Sequence, residues 1–218
     1  MSFLNTVPPE QADQAVSALY AHLQGKGDYL PNYARVFSLR PELMASISKL
    51  QKGIAAEMDP RLWALVSLAV AREINVSYCS LAYARRLVRN YFNEEQLMAV
   101  LLNSEDAPTT AAERAAMKVA VKMARDSSSV TQADIDALRA TGYSDTQIFD
   151  IVAAAGYRCF FAKVADALGA EPDESLADLD ELLLERLVVG RRVKGYASPL
   201  TVTPPAASLT DWEVGEFA

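Results

Sequence analysis

The chain carries little of what disulfide, metal or phosphate chemistry requires. Cysteine occurs twice in 218 residues, as Cys79 and Cys159, and histidine once, as His22. Two thiols so far apart in sequence build no disulfide framework. No cluster of histidine, cysteine and carboxylate has ligand spacing, so neither a metal nor a cofactor is expected. The nine glycines form no phosphate-binding loop, and there is no serine-nucleophile elbow. No apolar run reaches the ~18 residues that cross a bilayer. Met1-Ser2-Phe3-Leu4-Asn5 has neither the basic start nor the apolar core of a signal peptide, which makes the cytoplasm the expected location. Basic charge is short as well. Lys and Arg number 21 against 28 Asp and Glu, a formal net charge of −7, which disfavours nucleic acid and anionic membranes as partners.

What the chain does have is hydrophobicity: 51% of residues, beside 22% charged. That excess predicts a large interior, or surface buried between copies of the chain. Apolar residues recur almost everywhere at helical spacing. Pro9 is expected to open a first helix with Val16, Leu19, Tyr20 and Leu23 on one face, ended by Gly25 and Gly27. Pro41 opens a second, with Leu43, Met44, Ile47, Leu50 and Ile54. Asp59-Pro60 caps a third, Trp63 to Ile74, that is apolar nearly all round. Asn75 or Ser77 would cap a fourth helix running to Asn90, and Asn93 a short fifth. Thr110 with Glu113 and Ser144 with Gln147 are capping boxes. Thr131 begins a short helix ended by Gly142, and Gly169 stops the long helix from Ser144. A last helix is expected from about Ser175 to Val189, striped by Leu176, Leu179, Leu183 and Leu187. No segment reads as a strand. The fold class is therefore all-α, with one domain over residues 1–190. A C-terminal arm or tail follows over 191–218, where Trp212 and Phe217 favour an arm laid on a neighbouring subunit.

The run Ala64-Leu65-Val66-Ser67-Leu68-Ala69-Val70-Ala71-Arg72-Glu73-Ile74-Asn75-Val76-Ser77-Tyr78-Cys79-Ser80-Leu81-Ala82-Tyr83 resembles the active-site helix pair of the alkylhydroperoxidase D-like, or carboxymuconolactone decarboxylase, superfamily. Its peroxidase branch carries a glutamate, a Cys-x-x-Cys, and a histidine four residues after the second cysteine. On this chain the second cysteine matches Cys79. The first falls on Val76, the histidine on Tyr83 and the glutamate on Ala64. Tyr29-Leu30-Pro31-Asn32, Leu39-Arg40-Pro41-Glu42-Leu43, Asp59-Pro60-Arg61-Leu62 and Ala153-Ala154-Ala155-Gly156-Tyr157 are also similar to the peroxidase-related members, so the likeness spans roughly residues 29 to 173. The resemblance implies an alkylhydroperoxidase D-like helical domain that assembles as a homo-oligomer (dimer, trimer or hexamer) with its site near a subunit boundary. It also implies an ancestral thiol-dependent hydroperoxide reduction.

In that chemistry one thiolate attacks the peroxide and a second thiol resolves the sulfenic acid. Here Cys79 holds the nucleophile position near a helix start, where the dipole favours a thiolate. Arg72, Arg85 and Arg86 are near in sequence and could add positive potential or hold an anion such as a carboxylate. Val76 cannot resolve a sulfenic acid, Tyr83 is a weak general base, and Ala64 offers no carboxylate. The candidate site is thus Cys79 and Tyr83 as reacting groups, with Tyr78, Ala64 and Val76 around them. Cys159 could resolve Cys79 only if their Cα atoms lay within ~7 Å. Three readings stay open: a single-cysteine peroxidase-related enzyme, a decarboxylase-like enzyme on a carboxylated lactone, and a non-catalytic oligomeric binding protein.

Overall fold

The computed structural model describes residues 2–24, 29–194 and 196. Among the described residues there are ten α-helices and no strand. They are α1 (Gln14–Gln24), α2 (Asn32–Phe37), α3 (Pro41–Ala55), α4 (Pro60–Glu73), α5 (Ser77–Asn90), α6 (Glu94–Leu101), α7 (Ala111–Arg125), α8 (Gln132–Ala140), α9 (Asp145–Ala167) and α10 (Glu181–Leu187). Short 3-10 turns occur at Pro9–Gln11, Ser127–Ser129 and Glu174–Ala177.

Helix α4 is the axis of the molecule and packs on α5, α7 and α9. Asp59 starts it: one carboxylate oxygen accepts from the backbone N–H groups of Arg61 and Leu62 at 2.9 and 3.0 Å. Every residue from Leu62 to Ala71 is buried. The apolar girth of α4 is therefore consumed within one subunit and supplies no surface for a second copy. Capping boxes at Asn93, Thr110, Thr131 and Ser144 start α6, α7, α8 and α9. Gly142 and Gly169, at φ 99° and 84°, end α8 and α9 in the left-handed region that favours glycine.

Four local expectations are corrected. Pro9 opens only a 3-10 turn, and α1 begins at Gln14 because Asp13 accepts from the N–H of Val16. The Ser175–Val189 segment is split, because Asp180 accepts from Leu182 N–H and starts α10 afresh; its leucine stripe is nonetheless buried. Neither Asn75 nor Ser77 caps α5. Asn75 (φ 57°) makes the turn, extended Val76 stands at the cap, and the Ser77 hydroxyl accepts from Gly190 N–H at 2.7 Å. On α3, Met44 and Ile47 are buried, whereas Leu43 and Leu50 are 42% and 53% exposed. Packing continues past residue 190, with Val193 buried and Arg191 paired to Asp166. The expected aromatic anchors Trp212 and Phe217 lie outside the described residues.

Candidate active site

The turn from α4 into α5 sets the geometry of the site. Asparagine tolerates the left-handed conformation at Asn75, so the chain reverses within three residues and α5 lies back along α4. Cys79 falls in the first turn of α5, and Tyr83 lies one turn further on the same face. Both face a cavity of about 260 Å³ that α9 closes with Tyr157, Arg158 and Phe161 and α2 with Tyr33. Its walls are largely aromatic. Phe161 stacks on Tyr157 with centroids 6.0 Å apart and meets Tyr33 edge-on at 5.5 Å; Tyr33 in turn meets Tyr78 edge-on at 5.7 Å.

The dominant charge is Arg158, only 2% exposed. One terminal nitrogen lies 3.7 Å from the Cys79 Sγ and the other donates to the Tyr83 hydroxyl. The guanidinium carbon lies 4.5 Å from the Tyr83 ring centroid, with the Tyr157 and Phe161 rings at 5.4 and 5.6 Å. Its nearest partners are thus a thiol, a phenol and three rings, and its Nε has no hydrogen-bond partner among the described residues. Burial works against its charge, yet Tyr83, Cys79 and Tyr157 raise its pKa overall. The Cys79 thiol, 6% exposed, is pushed up by burial and drawn back only in part by Arg158.

The Tyr83 oxygen also accepts from the Trp63 indole N–H at 3.2 Å. With both lone pairs engaged, the Tyr83 hydroxyl can bond to anything further only through its own O–H. A second chain of bonds fixes the opposite wall. The Tyr78 hydroxyl donates to buried Asp173 at 2.5 Å and accepts from Tyr33 N–H, while Asp173 also accepts from Asn32 N–H at 2.8 Å. Burial raises the pKa of Asp173, with the Tyr78 and Asn32 bonds opposing it; burial also pushes Tyr33 up to about 12. These walls are therefore neutral phenols at ordinary pH.

Of the residues singled out in the sequence, Cys79, Tyr83, Tyr78, Val76 and Arg86 meet around this cavity. Ala64 does not: it is sealed in the core, and its neighbour Trp63 reaches Tyr83 instead. Arg72 does not either, because it lines a separate groove. Arg85 is turned outward to Asp178, 2.6 Å away. The positive charge expected from Arg72 and Arg85 comes instead from Arg158, which sequence reasoning missed. A signal was present, since Arg158 is the only charged residue between Asp150 and Lys163 on an apolar helix. Tyr33, Tyr157 and Phe161 gave no such signal. Cys159 is half-buried and outside the cavity lining, both thiols are free, and His22 is exposed on α1. No cluster of three potential metal ligands occurs among the described residues.

The Carboxymuconolactone decarboxylase family model matches residues 41–122, which hold α3 to α5, α6 and most of α7. That segment carries the sequence likeness to the family; over the rest of the chain the likeness is one of fold. Solved structures share its fold. The alkylhydroperoxidase AhpD core of a peroxidase-related protein from Ralstonia eutropha JMP134 aligns at TM-score 0.69 and 18% identity, covering 87% of this chain and 98% of that one. A peroxidase-related protein from Silicibacter sp. TM1040 aligns at 0.67 and 20%, covering 81% and 91%. The debrominase Bmp8, in complex with 2,3,4-tribromopyrrole, aligns at 0.66 and 18%, covering 86% and 98%. No curated protein matches the sequence. Within the superfamily's helix pair this chain keeps one thiol, and Tyr83 stands where the resemblance places the histidine.

Proposed function

We propose that the protein is a single-cysteine, thiol-dependent hydroperoxide reductase, with Cys79 as nucleophile, Tyr83 as proton donor and Arg158 as the cation that serves both. The observation that carries this is the Arg158 guanidinium, bonded to thiol and phenol together at the wall of an aromatic cavity. The Cys79 thiolate attacks the outer peroxide oxygen; an S–O bond forms, the O–O bond breaks, and sulfur is oxidised by two electrons to sulfenic acid. The departing alkoxide takes the Tyr83 proton and leaves as an alcohol. An external thiol displaces water from the sulfenic acid, and a second releases the mixed disulfide as Cys79 thiol. That thiol returns a proton to Tyr83, and the sum is ROOH + 2 R′SH → ROH + R′SSR′ + H2O. Val76 in place of the first motif cysteine makes the external thiol obligatory, and the ancestral dithiol cycle is lost.

Turnover of cumene hydroperoxide with dithiothreitol tests this. The wild type should turn over, Cys79→Ser should fall to background, and mass spectrometry should find the sulfenic acid or mixed disulfide on Cys79. An inert Cys79 under peroxide would overturn the reading and leave the binding-protein and lactone-decarboxylase alternatives. The flat aromatic walls favour a second reading, suggested by the likeness to Bmp8: reductive dehalogenation of a small ring, Ar–Br + 2 R′SH → Ar–H + R′SSR′ + HBr. Bromide release from 2,3,4-tribromopyrrole in the same assay separates the two.

A homo-oligomer is part of the same reading. With Leu62–Ala71 of α4 buried, the apolar surface for it comes from Leu43 and Leu50 on α3 and Phe149 and Phe160 on α9, all exposed. Sedimentation at micromolar concentration should give at least a dimer, and a clean monomer would refute it. No described helix is long and apolar enough to cross a membrane.

A further inference from the structure

A second cavity, about 660 Å³, shares no lining residue with the Cys79 cavity. It is a groove among α4, α6 and α7 with Val189 at its rim, and its size suits a small molecule. Leu68, Met117 and Val121 give it an apolar floor, and Arg72, Arg114 and Lys118 bring three cations. Glu73 is the only carboxylate in the lining, and Arg125 holds both of its oxygens at 2.7 and 3.1 Å. The three cations have no acidic partner among the described residues. Arg72 is half-buried; it donates to the Leu101 carbonyl at 3.4 Å, and its buried Nε has no partner among the described residues. The Arg114 guanidinium donates to the carbonyl and hydroxyl of Thr109, both neutral. On a chain of net charge −7, a groove that keeps this much positive charge uncompensated is built for an anion.

The register of α4 and α7 sets the shape of that anion. Arg61 pairs with Glu113 where the two helices start, and Glu73 pairs with Arg125 where they end, so they run parallel and level. Arg72 therefore stands about ten residues beyond Arg114, or roughly 15 Å along the axis. Arg114 and Lys118 are neighbours one turn apart on α7, and Arg72 stands at the other end of the groove. The apolar floor lies between them. A single carboxylate reaches only one of these ends, and an inorganic ion leaves the floor unused. We infer that the groove binds a linear aliphatic dicarboxylate, with one carboxylate on Arg72, the other on Arg114 and Lys118, and the chain along Leu68, Met117 and Val121. A guanidinium at each end offers the planar fork that a carboxylate matches with two hydrogen bonds, and Arg72 gains the acceptor its Nε lacks. The site is separate from Cys79 and stands whether or not that thiol reduces hydroperoxides.

Calorimetric titration of the full-length protein with decanedioate tests this, with decanoate, decanediol and succinate as comparisons. Decanedioate should bind at least about tenfold more tightly than decanoate, which has the chain but only one charge. Succinate has both charges on too short a chain, and decanediol has the length without charge; both should be weaker than decanedioate by at least as much. Arg72→Gln should bring decanedioate down to the level of decanoate. Lys118→Glu should weaken it about fivefold or more, and raising salt should weaken it in the wild type. Lys118 is exposed and its amine has no hydrogen bond or ion pair among the described residues, so this change spares the fold. Arg86→Gln, at the Cys79 cavity, should leave decanedioate binding as it is. No binding of decanedioate, or binding no tighter than that of decanoate or succinate, would overturn the proposal. So would binding indifferent to both Arg72→Gln and Lys118→Glu. Loss of binding in Arg86→Gln would move the ligand to the Cys79 cavity and overturn it as well.

Discussion

The Cys79 cavity and the α4–α7 groove are both lined by arginine over apolar residues, yet the two arginines work under opposite conditions. Arg158 is enclosed and shares its hydrogen bonds with the Cys79 sulfur and the Tyr83 hydroxyl. Arg72, Arg114 and Lys118 are half-buried or exposed and face solvent ions. A buried cation acts on groups fixed beside it, unscreened, and favours their ionised forms. An open cationic groove acts on what arrives from solution, and salt weakens it. An arginine's role here follows from its enclosure and not from its closeness in sequence to Cys79. Arg72 and Arg85 are near in sequence and serve elsewhere, while Arg158 comes from α9.

The strongest way to break that comparison is to exchange the two arginines' fates. Arg158→Met should slow alkylation of Cys79 at pH 8 several-fold, on the order of tenfold, because the thiolate loses the charge and hydrogen bond that oppose its burial. Stability should move by less than about 1 kcal/mol, since an apolar side chain of similar volume removes a costly buried charge. Arg72→Met should leave the alkylation rate unchanged. Equal effects from the two variants, read by thiol labelling and thermal melting, would show that proximity in sequence had been the better guide.

Much of this was legible in the sequence. Capping boxes, Asp59-Pro60 and the helical spacing gave the order of the helices, because those signals are local. The superfamily motif gave Val76, Tyr78, Cys79 and Tyr83 as neighbours, because the cap and first two turns of α5 bring them together. What was not legible came from packing between helices distant in sequence. Arg158 reaches Cys79 across 79 residues, and Asp173 reaches Tyr78 across 95. No spacing rule encodes such contacts. The same holds for Gly190, read only as the boundary between domain and tail, which is where the chain closes against the α4–α5 turn.

Gly190 links the two regions and gives the next largest effect. A Cβ there would stand 2.1 Å from the Asn75 carbonyl oxygen, a backbone atom with no flexible end to swing away. Gly190→Ala should therefore cost about 1–3 kcal/mol, as overpacking typically does. It should also loosen the turn that aims Cys79, so the thiol labels faster in the native state while the melting temperature falls. A variant as stable as the wild type would show that the 190–194 segment is not pinned to the turn.

The smallest effect is in pH, and it separates the two thiols. Burial raises the pKa of Cys79, Arg158 opposes it through charge and hydrogen bond, and Asp166 adds to the rise. Cys159, half-buried, is also raised by burial, with Lys163 and Arg158 opposing. A raised thiol pKa means the folded chain keeps a proton that the unfolded chain releases above about pH 8.5. Stability is thus unaffected below that pH and is lost as pH rises toward the folded value, by at most about 1.4 kcal/mol per pH unit for one thiol. Cys79→Ala should flatten this alkaline slope more than Cys159→Ala, because Cys79 is the more deeply buried. Iodoacetamide labelling of Cys79 should keep accelerating beyond pH 8.5, where an unperturbed thiol levels off. A plateau below that pH would mean that Arg158 outweighs burial and holds a thiolate at neutral pH. In that case the slope of stability would reverse sign, with stability lost as pH falls through the depressed value.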